Sequence, residues 1–317
     1  MRACLMIEGQ QGVTWRDWCA LADLAERTGF EGLFRSDHYF SGAGVSGVGA
    51  TDAWTVLGAL AARTRTLRLG TLVSPVTFRD PAVLARAALT VDLISDGRVE
   101  IGMGAGWWEE EHTRFGIPFY DVGRRWEMLE EQVPIVHGLF TEDDFSFQGK
   151  HYQLDGADQL PRSVQRPRPP LILGGTAVGP RMQALIGAFA DEFNTVGGTP
   201  AKVGERFARA RQGVATAGRE QASLVTSLMT WVFVGRTETE YLERLRRAHA
   251  LDPKAGLFDA YRADIEADCI VGTPAQAIEQ LNAYAKVGVQ RVFLNHELYD
   301  DAEMVELIAT DVLPEVR

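Results

Sequence analysis

Cysteine is scarce in this chain: Cys4, Cys19 and Cys269 are the three among 317 residues. They are scattered, so neither a disulfide framework nor a cysteine metal site follows, and the odd count suits a reducing compartment. Cys4 lies in an apolar stretch and reads as core. Basic residues are in deficit too, 32 Lys and Arg against 43 Asp and Glu, for a formal charge of −11. That balance argues against nucleic acid or an anionic membrane as the main partner. No apolar run reaches membrane-spanning length, and Met1-Arg2-Ala3 leads straight into a strand without a leader pattern, so a cytoplasmic protein is expected. The six histidines show no i, i+4 pairing around a carboxylate, which leaves no metal constellation. A nucleophile elbow is missing, since Ser46 sits in a loose glycine loop, Ser41 to Gly49, without the Gly-x-Ser-x-Gly frame. Glu8-Gly9-Gln10-Gln11-Gly12, after the first strand, lacks the dinucleotide-binding spacing. With no hard chemistry of its own in view, the chain points to a bound organic cofactor.

What is present is an ordinary globular composition, 46% hydrophobic and 24% charged, and a regular alternation of elements. Ala3 to Ile7 reads as a strand, and Thr14 as the cap of a helix over Trp15 to Arg27, with Trp18, Leu21, Ala22, Leu24 and Ala25 at helical spacing. Further strands are predicted from Phe30, over Leu67 to Val76, Val99 to Gly102, Leu171 to Leu173, Glu192 to Val196, Leu224 to Val234 and Val289 to Asn295. Helical stretches separate them, including one that starts at Asp80-Pro81, a cap followed by proline in the first turn. Eight strands alternating with helices fit one (β/α)8 TIM barrel over residues 1–317, as a single domain. Extra matter falls after strands four and seven: a helix-rich segment with a small hairpin at Phe145 to Tyr152, and a polar excursion from Leu251 to Ile270.

In a barrel the functional face is the carboxyl end of the strands. The second strand ends in Arg35-Ser36-Asp37-His38-Tyr39, and neighbours on extended backbone point to opposite faces. One of Asp37 and His38 can therefore enter the barrel mouth while the other supports a loop. Strand four ends in Gly104-Ala105-Gly106-Trp107-Trp108-Glu109, and strand five in Gly174-Gly175-Thr176. The latter reads either as a phosphate nest before a helix or as a tight turn needing positive φ. Trp107 and Trp108 offer a large aromatic surface; on a helix two adjacent tryptophans cannot both face inward, so one would line a cavity or an interface. Glu109-Glu110-Glu111-His112 reads as a solvated first helical turn. Glu8, Trp231, His296 and Glu297 stand at the remaining strand ends. A phosphate-dependent isomerase would place its phosphate site after strands seven and eight, where Trp231 and His296 stand instead.

Ser36-Asp37-His38-Tyr39, Leu69-Gly70-Thr71-Leu72-Val73-Ser74-Pro75 and Asp92-Leu93-Ile94-Ser95-Asp96-Gly97-Arg98 resemble segments of the luciferase-like monooxygenase superfamily. So do the run from Gly102 to Glu111, Pro170-Leu171-Ile172-Leu173-Gly174-Gly175, and Gly272-Thr273-Pro274-Ala275. The resemblance spans nearly the whole chain and is strongest to the branch that uses the deazaflavin coenzyme F420. It implies a barrel with a flavin-type ring in its mouth, propped by a non-prolyl cis peptide that would fall at Leu72-Val73; the sequence alone would nominate Ser74-Pro75. It further implies that Asp37 contacts the deazaflavin, that Gly104, Ala105, Gly174, Gly175 and Thr176 help hold it, and that His38 is the acid/base, with Glu109 assisting proton transfer. Tyr39, Trp107 and Trp108 would face a small-molecule substrate, and a homodimer is implied. The expected reaction is hydride exchange between F420 and an activated C=C, carbonyl or alcohol. An FMN-dependent monooxygenase and a non-catalytic flavin-binding paralogue are the alternatives. A sugar phosphate is not favoured, for want of a basic cluster at the strand-seven end.

Overall fold

A computed structural model describes residues 1–41, 48–252 and 255–316; Ser46, with most of the glycine loop, lies outside them. From the amino end come β1 (Arg2–Ile7), α1 (Trp15–Thr28), β2 (Gly32–Arg35), α2 (Ala53–Arg63) and β3 (Arg68–Thr71). The short β4 (Ser74–Pro75) continues β3 beyond a cis Leu72-Val73 peptide, and α3 (Pro81–Ser95) leads on to β5 (Val99–Gly104). An insertion follows, with α4 (Glu109–Phe115), α5 (Val122–Thr141) and the antiparallel pair β6 (Phe145–Gln148) and β7 (Gln153–Ala157). β8 (Leu171–Gly174), α6 (Pro180–Phe189), β9 (Glu192–Val196), α7 (Pro200–Thr216) and β10 (Val225–Val234) restore the alternation. A second insertion holds α8 (Glu238–Leu251), α9 (Phe258–Asp268) and β11 (Ile270–Gly272). The chain then runs through α10 (Pro274–Lys286), β12 (Arg291–Asn295) and α11 (Ala302–Leu307).

β1, β2, β3, β5, β8, β9, β10 and β12 pair in that order, all parallel, and β12 returns to β1. The (β/α)8 barrel is closed, with its insertions after the fourth and seventh barrel strands. Two details differ from the sequence reading. The hairpin extends to Ala157, and the polar stretch from Leu251 to Ile270 contains α9. On α9 the apolar positions Phe258, Tyr261 and Ile265 recur at helical spacing and pack against a small core of Phe233, Tyr241 and Leu245. Charged residues between them mask that period in the sequence.

Local chemistry sets the element ends. Thr14 and Asp17 form a capping box on α1, and Asp80 caps α3 with Pro81 in its first turn; such caps stabilise a helix by about 1 kcal/mol each. Outward strand residues such as Leu5, Ile101 and Leu173 join the helices in one continuous core. Inward residues alternate with them and form a separate inner core of Met6, Phe34, Leu72, Ile172, Met229 and Phe293. Below it, at the amino ends of the strands, the inward positions are ionic. The Arg291 guanidinium reaches Glu100 at 2.6 Å and Glu192 and Glu31 at 2.9 Å, and lies against the rings of Phe34 and Phe293. Arg68 also pairs with Glu100. Burial disfavours a charged guanidinium, yet the surrounding acids more than offset this and keep Arg291 protonated.

The inward glycines make room. A Cβ at Gly70 would lie 2.6 Å from the Phe34 ring, and one at Gly104 or Gly174 would lie 2.6 or 2.8 Å from a Val73 methyl. A Cβ at Gly102 would collide with the Thr71 carbonyl. Among the described residues no helix is long and apolar enough to cross a membrane.

Candidate active site

A cavity of about 750 Å³ lies at the carboxyl ends of the barrel strands. Strand order divides its wall. Leu72 and Val73 after β3, Gly104 and Ala105 at β5, and Gly174 to Thr176 at β8 line one side. Met229 and Trp231 of β10, Glu297 after β12 and Glu8 after β1 line the opposite side. His38, following β2, stands between the two.

Alternation along β2 decides which of the Asp37-His38 pair enters. Phe34 faces the barrel interior, so His38, four residues on, faces it too, and Asp37 faces out. The His38 Nδ1 lies 2.8 Å from Glu111 Oε1, and the other Glu111 oxygen accepts the Tyr39 backbone N–H at 3.0 Å. The Glu111 side chain is 1% exposed. Burial pushes the His38 pKa down, but the hydrogen bond and charge of Glu111, with Glu8 and Asp37 farther off, more than reverse this, and the net shift is upward. Protonated His38 therefore persists to higher pH than an ordinary histidine. Replacing Glu111 by glutamine removes the charge and leaves the burial. The imidazole midpoint, followed by proton NMR, is then expected to fall from above the usual value of about 6.5 to below it. A midpoint unmoved by the substitution would contradict the pairing.

Several expected site residues lie elsewhere. Asp37, expected at the cofactor, is wholly buried outside the barrel lumen. It accepts a hydrogen bond from Ser74 Oγ at 2.6 Å and pairs with Arg79 at 2.5 Å. Arg79 also holds Asp52 at 2.6 Å and the Tyr39 hydroxyl at 3.0 Å, while Trp54 donates to Ser74. Tyr39, expected to face substrate, stacks on Phe78 and belongs to this same supporting layer. The network ties the segment carrying His38 to the bulge at Leu72-Val73, and Arg79 escaped notice because it falls on a connection rather than at a strand end.

Glu109 is exposed at the first turn of α4 and does not reach the cavity; Glu111 does. Two residues along a helix rotate a side chain by roughly 200°, so the two acids face opposite ways. The expected solvated turn is thus half-buried: His112 Nδ1 donates to the Trp108 carbonyl at 2.7 Å, and its Nε2 lies 2.6 Å from Thr77 Oγ1. Trp107 and Trp108 precede the helix, so the helical constraint does not apply. Their rings stack at 5.4 Å, both line the cavity, and both meet the His38 ring nearly at right angles, with centroids 5.9 and 5.4 Å away.

The tight-turn reading of the second glycine cluster does not hold, and Gly174 has a packing reason of its own. Gly174 and Gly175 do not adopt positive φ, and α6 begins only at Pro180, whose nitrogen carries no hydrogen. Gly174 is small because Val73 occupies the space of its side chain. Together with Gly104 it leaves a smooth apolar wall behind Leu72 and Val73.

The opposite wall is acidic. Glu8 accepts from Asn295 Nδ2 at 3.1 Å and from Gln10 Nε2 at 2.8 Å, and Glu297 from Gln11 Nε2 at 3.3 Å. Burial, reinforced by Glu8, pushes the Glu297 carboxyl up to about 7. His296, its neighbour, is wholly buried away from the cavity, and burial holds its imidazole down at about 4.

Fold and site together define a (β/α)8 barrel enzyme with a cavity at the carboxyl ends of its strands, bounded by an apolar bulge and a histidine. The chain belongs to the luciferase-like monooxygenase family, whose model matches residues 3–291. It is similar to an F420-dependent glucose-6-phosphate dehydrogenase of Nakamurella multipartita, 30% identical over 94% of this chain and 92% of that protein. An FMNH2-dependent dimethylsulfone monooxygenase of Pseudomonas putida is 26% identical over 94% of this chain and 86% of its own length. The fold matches that of an F420-dependent secondary alcohol dehydrogenase in complex with an F420-acetone adduct, with a TM-score of 0.83 and 22% identity over 100% of this chain and 99% of the other.

Proposed function

We propose that this chain is an F420-dependent oxidoreductase, which exchanges a hydride with a small organic substrate, a carbonyl, an alcohol or an activated double bond, at the barrel mouth. The observation that carries the reading is the His38–Glu111 pair, set at 2.8 Å on the rim of a cavity backed by Leu72 and Val73. The residues fit a deazaflavin ring. Leu72, Val73, Gly104 and Gly174 offer a flat apolar face, and Ala105, Gly175 and Thr176 border the way out for its side chain. When bound, F420 supplies or accepts the hydride.

His38 does the proton work. A carboxylate at Nδ1 accepts the hydrogen there, which leaves Nε2 as the nitrogen that exchanges with substrate. Reducing a carbonyl requires a proton on its oxygen, and oxidising an alcohol requires one removed; Nε2 serves both directions. Trp107 and Trp108, packed against the His38 ring, give the substrate an apolar surface. Homodimerisation belongs to the same reading, with exposed Val83 and Ile94 on α3 as contact candidates.

The test is turnover. The chain, mixed with oxidised F420 and a panel of secondary alcohols, or with reduced F420 and ketones and enones, should change the visible absorbance of the coenzyme. No change with any substrate, despite bound F420, would leave a non-catalytic binding protein. The 26% identity to an FMNH2-dependent enzyme keeps a flavin monooxygenase as the second reading.

A further inference from the structure

The side of the cavity opposite the bulge has a charge pattern that hydride exchange with the cofactor does not use. Glu8, Glu111 and Glu297 all line the cavity, and no arginine or lysine lines it among the described residues. Glu111 is engaged by His38. Glu8 and Glu297 have only neutral amide donors, from Asn295, Gln10 and Gln11, and form no ion pair among the described residues. Two carboxylates brought together without a cation are a standing cost unless something positive arrives.

An independent feature points the same way. Asn295 is wholly buried, faces the barrel interior in register with Trp231 of the cavity wall, and has an Oδ1 with no partner. Its amide orientation is fixed, because the nitrogen must face the Glu8 carboxylate and the oxygen cannot. A buried acceptor is therefore left over next to Glu8, just behind the cavity wall. The indole of Trp231 adds a π-face, which also favours a cation.

We infer that Glu8 and Glu297, with Asn295 behind Glu8, form a subsite for a positively charged nitrogen of the substrate, so that the enzyme acts on an amine-bearing molecule and excludes phosphorylated ones. An ammonium group brings up to three N–H donors and a full charge, which suits two carboxylates beside the Trp231 ring. A phosphate would meet three carboxylates and, among the described residues, no cation other than His38, which is already paired with Glu111. The inference rests on the F420 reading only in assigning the bulge side to the coenzyme and this side to the substrate.

The probes are 2-phenylethylamine, 2-phenylethanol and 2-phenylethyl phosphate, which share one apolar body and differ in charge. Calorimetric titration of the full chain should give the amine at least about tenfold tighter binding than the alcohol, and no binding of the phosphate. Glu297→Gln should weaken the amine by about tenfold and leave the alcohol unchanged. Equal affinities for amine and alcohol, preference for the phosphate, or no binding of any probe would overturn the inference. F420 titrated into the same protein separates the two readings: amine selectivity without F420 binding keeps the subsite and removes the coenzyme, and F420 binding without amine selectivity does the reverse.

Discussion

Replacing His38 by alanine is expected to lower kcat by about 10²–10⁴-fold, the range that a positioned acid or base contributes, while F420 affinity stays nearly unchanged. The split follows from position. The apolar wall on which the ring would rest is made by Leu72, Val73 and the glycines, none of which depends on the imidazole. His38 meets only Glu111 and the two tryptophans, so its removal leaves the wall intact and takes the proton away. Steady-state turnover and fluorescence titration of the same variant separate the two effects. A rate unchanged by the substitution would remove His38 from the chemistry, and loss of F420 binding would recast it as a cofactor ligand.

Replacing Arg291 by alanine is expected to destabilise the fold by about 3–5 kcal/mol, with no direct effect on the site. The guanidinium satisfies Glu100 and Glu192 inside the barrel, where the protein excludes water, and packs on both Phe34 and Phe293. Without it two buried carboxylates lose their common partner, and at least one must take up a proton or drag in water. The expected readout is a large fall in the denaturation midpoint, which partly recovers as the pH is lowered and the acids become protonated. A midpoint like that of the unsubstituted chain would mean that the cluster relaxes into solvent.

The barrel was legible because its signals are local and repeated. Thr14 with Asp17 and Asp80 with Pro81 mark helix starts, and runs such as Leu171-Ile172-Leu173 mark strands buried on both faces. The opposite facing of Asp37 and His38 could also be foreseen, since it follows from period two alone, though not which of them entered. What fixes that choice is Phe34, whose inward place depends on Gly32 and on Gly70 of the adjacent strand β3. The resemblance placed the non-prolyl cis peptide at Leu72-Val73, where the structure has it, whereas the residues alone favoured Ser74-Pro75.

Other parts of the site depended on facts no short motif carries. Glu109 and Glu111 differ by two residues on one short helix, and only the point where α4 begins tells which one meets His38. Arg79 joins Asp37, Asp52 and Tyr39, residues 27 to 42 positions away, through a loop that the sequence marks only as a connection. Glu8 and Glu297 were visible as strand ends, but their nearness comes from the closure of β12 onto β1. Closure of a barrel brings the two ends of a chain together, and that contact has no periodicity to betray it.

The most direct test of the account is a fluorescence titration of the purified apo-protein with F420 and, in parallel, with FMN. The account predicts saturable binding of F420 and little of FMN. Preferential binding of FMN would contradict it and move the chain to the flavin monooxygenases, and binding of neither would contradict it outright.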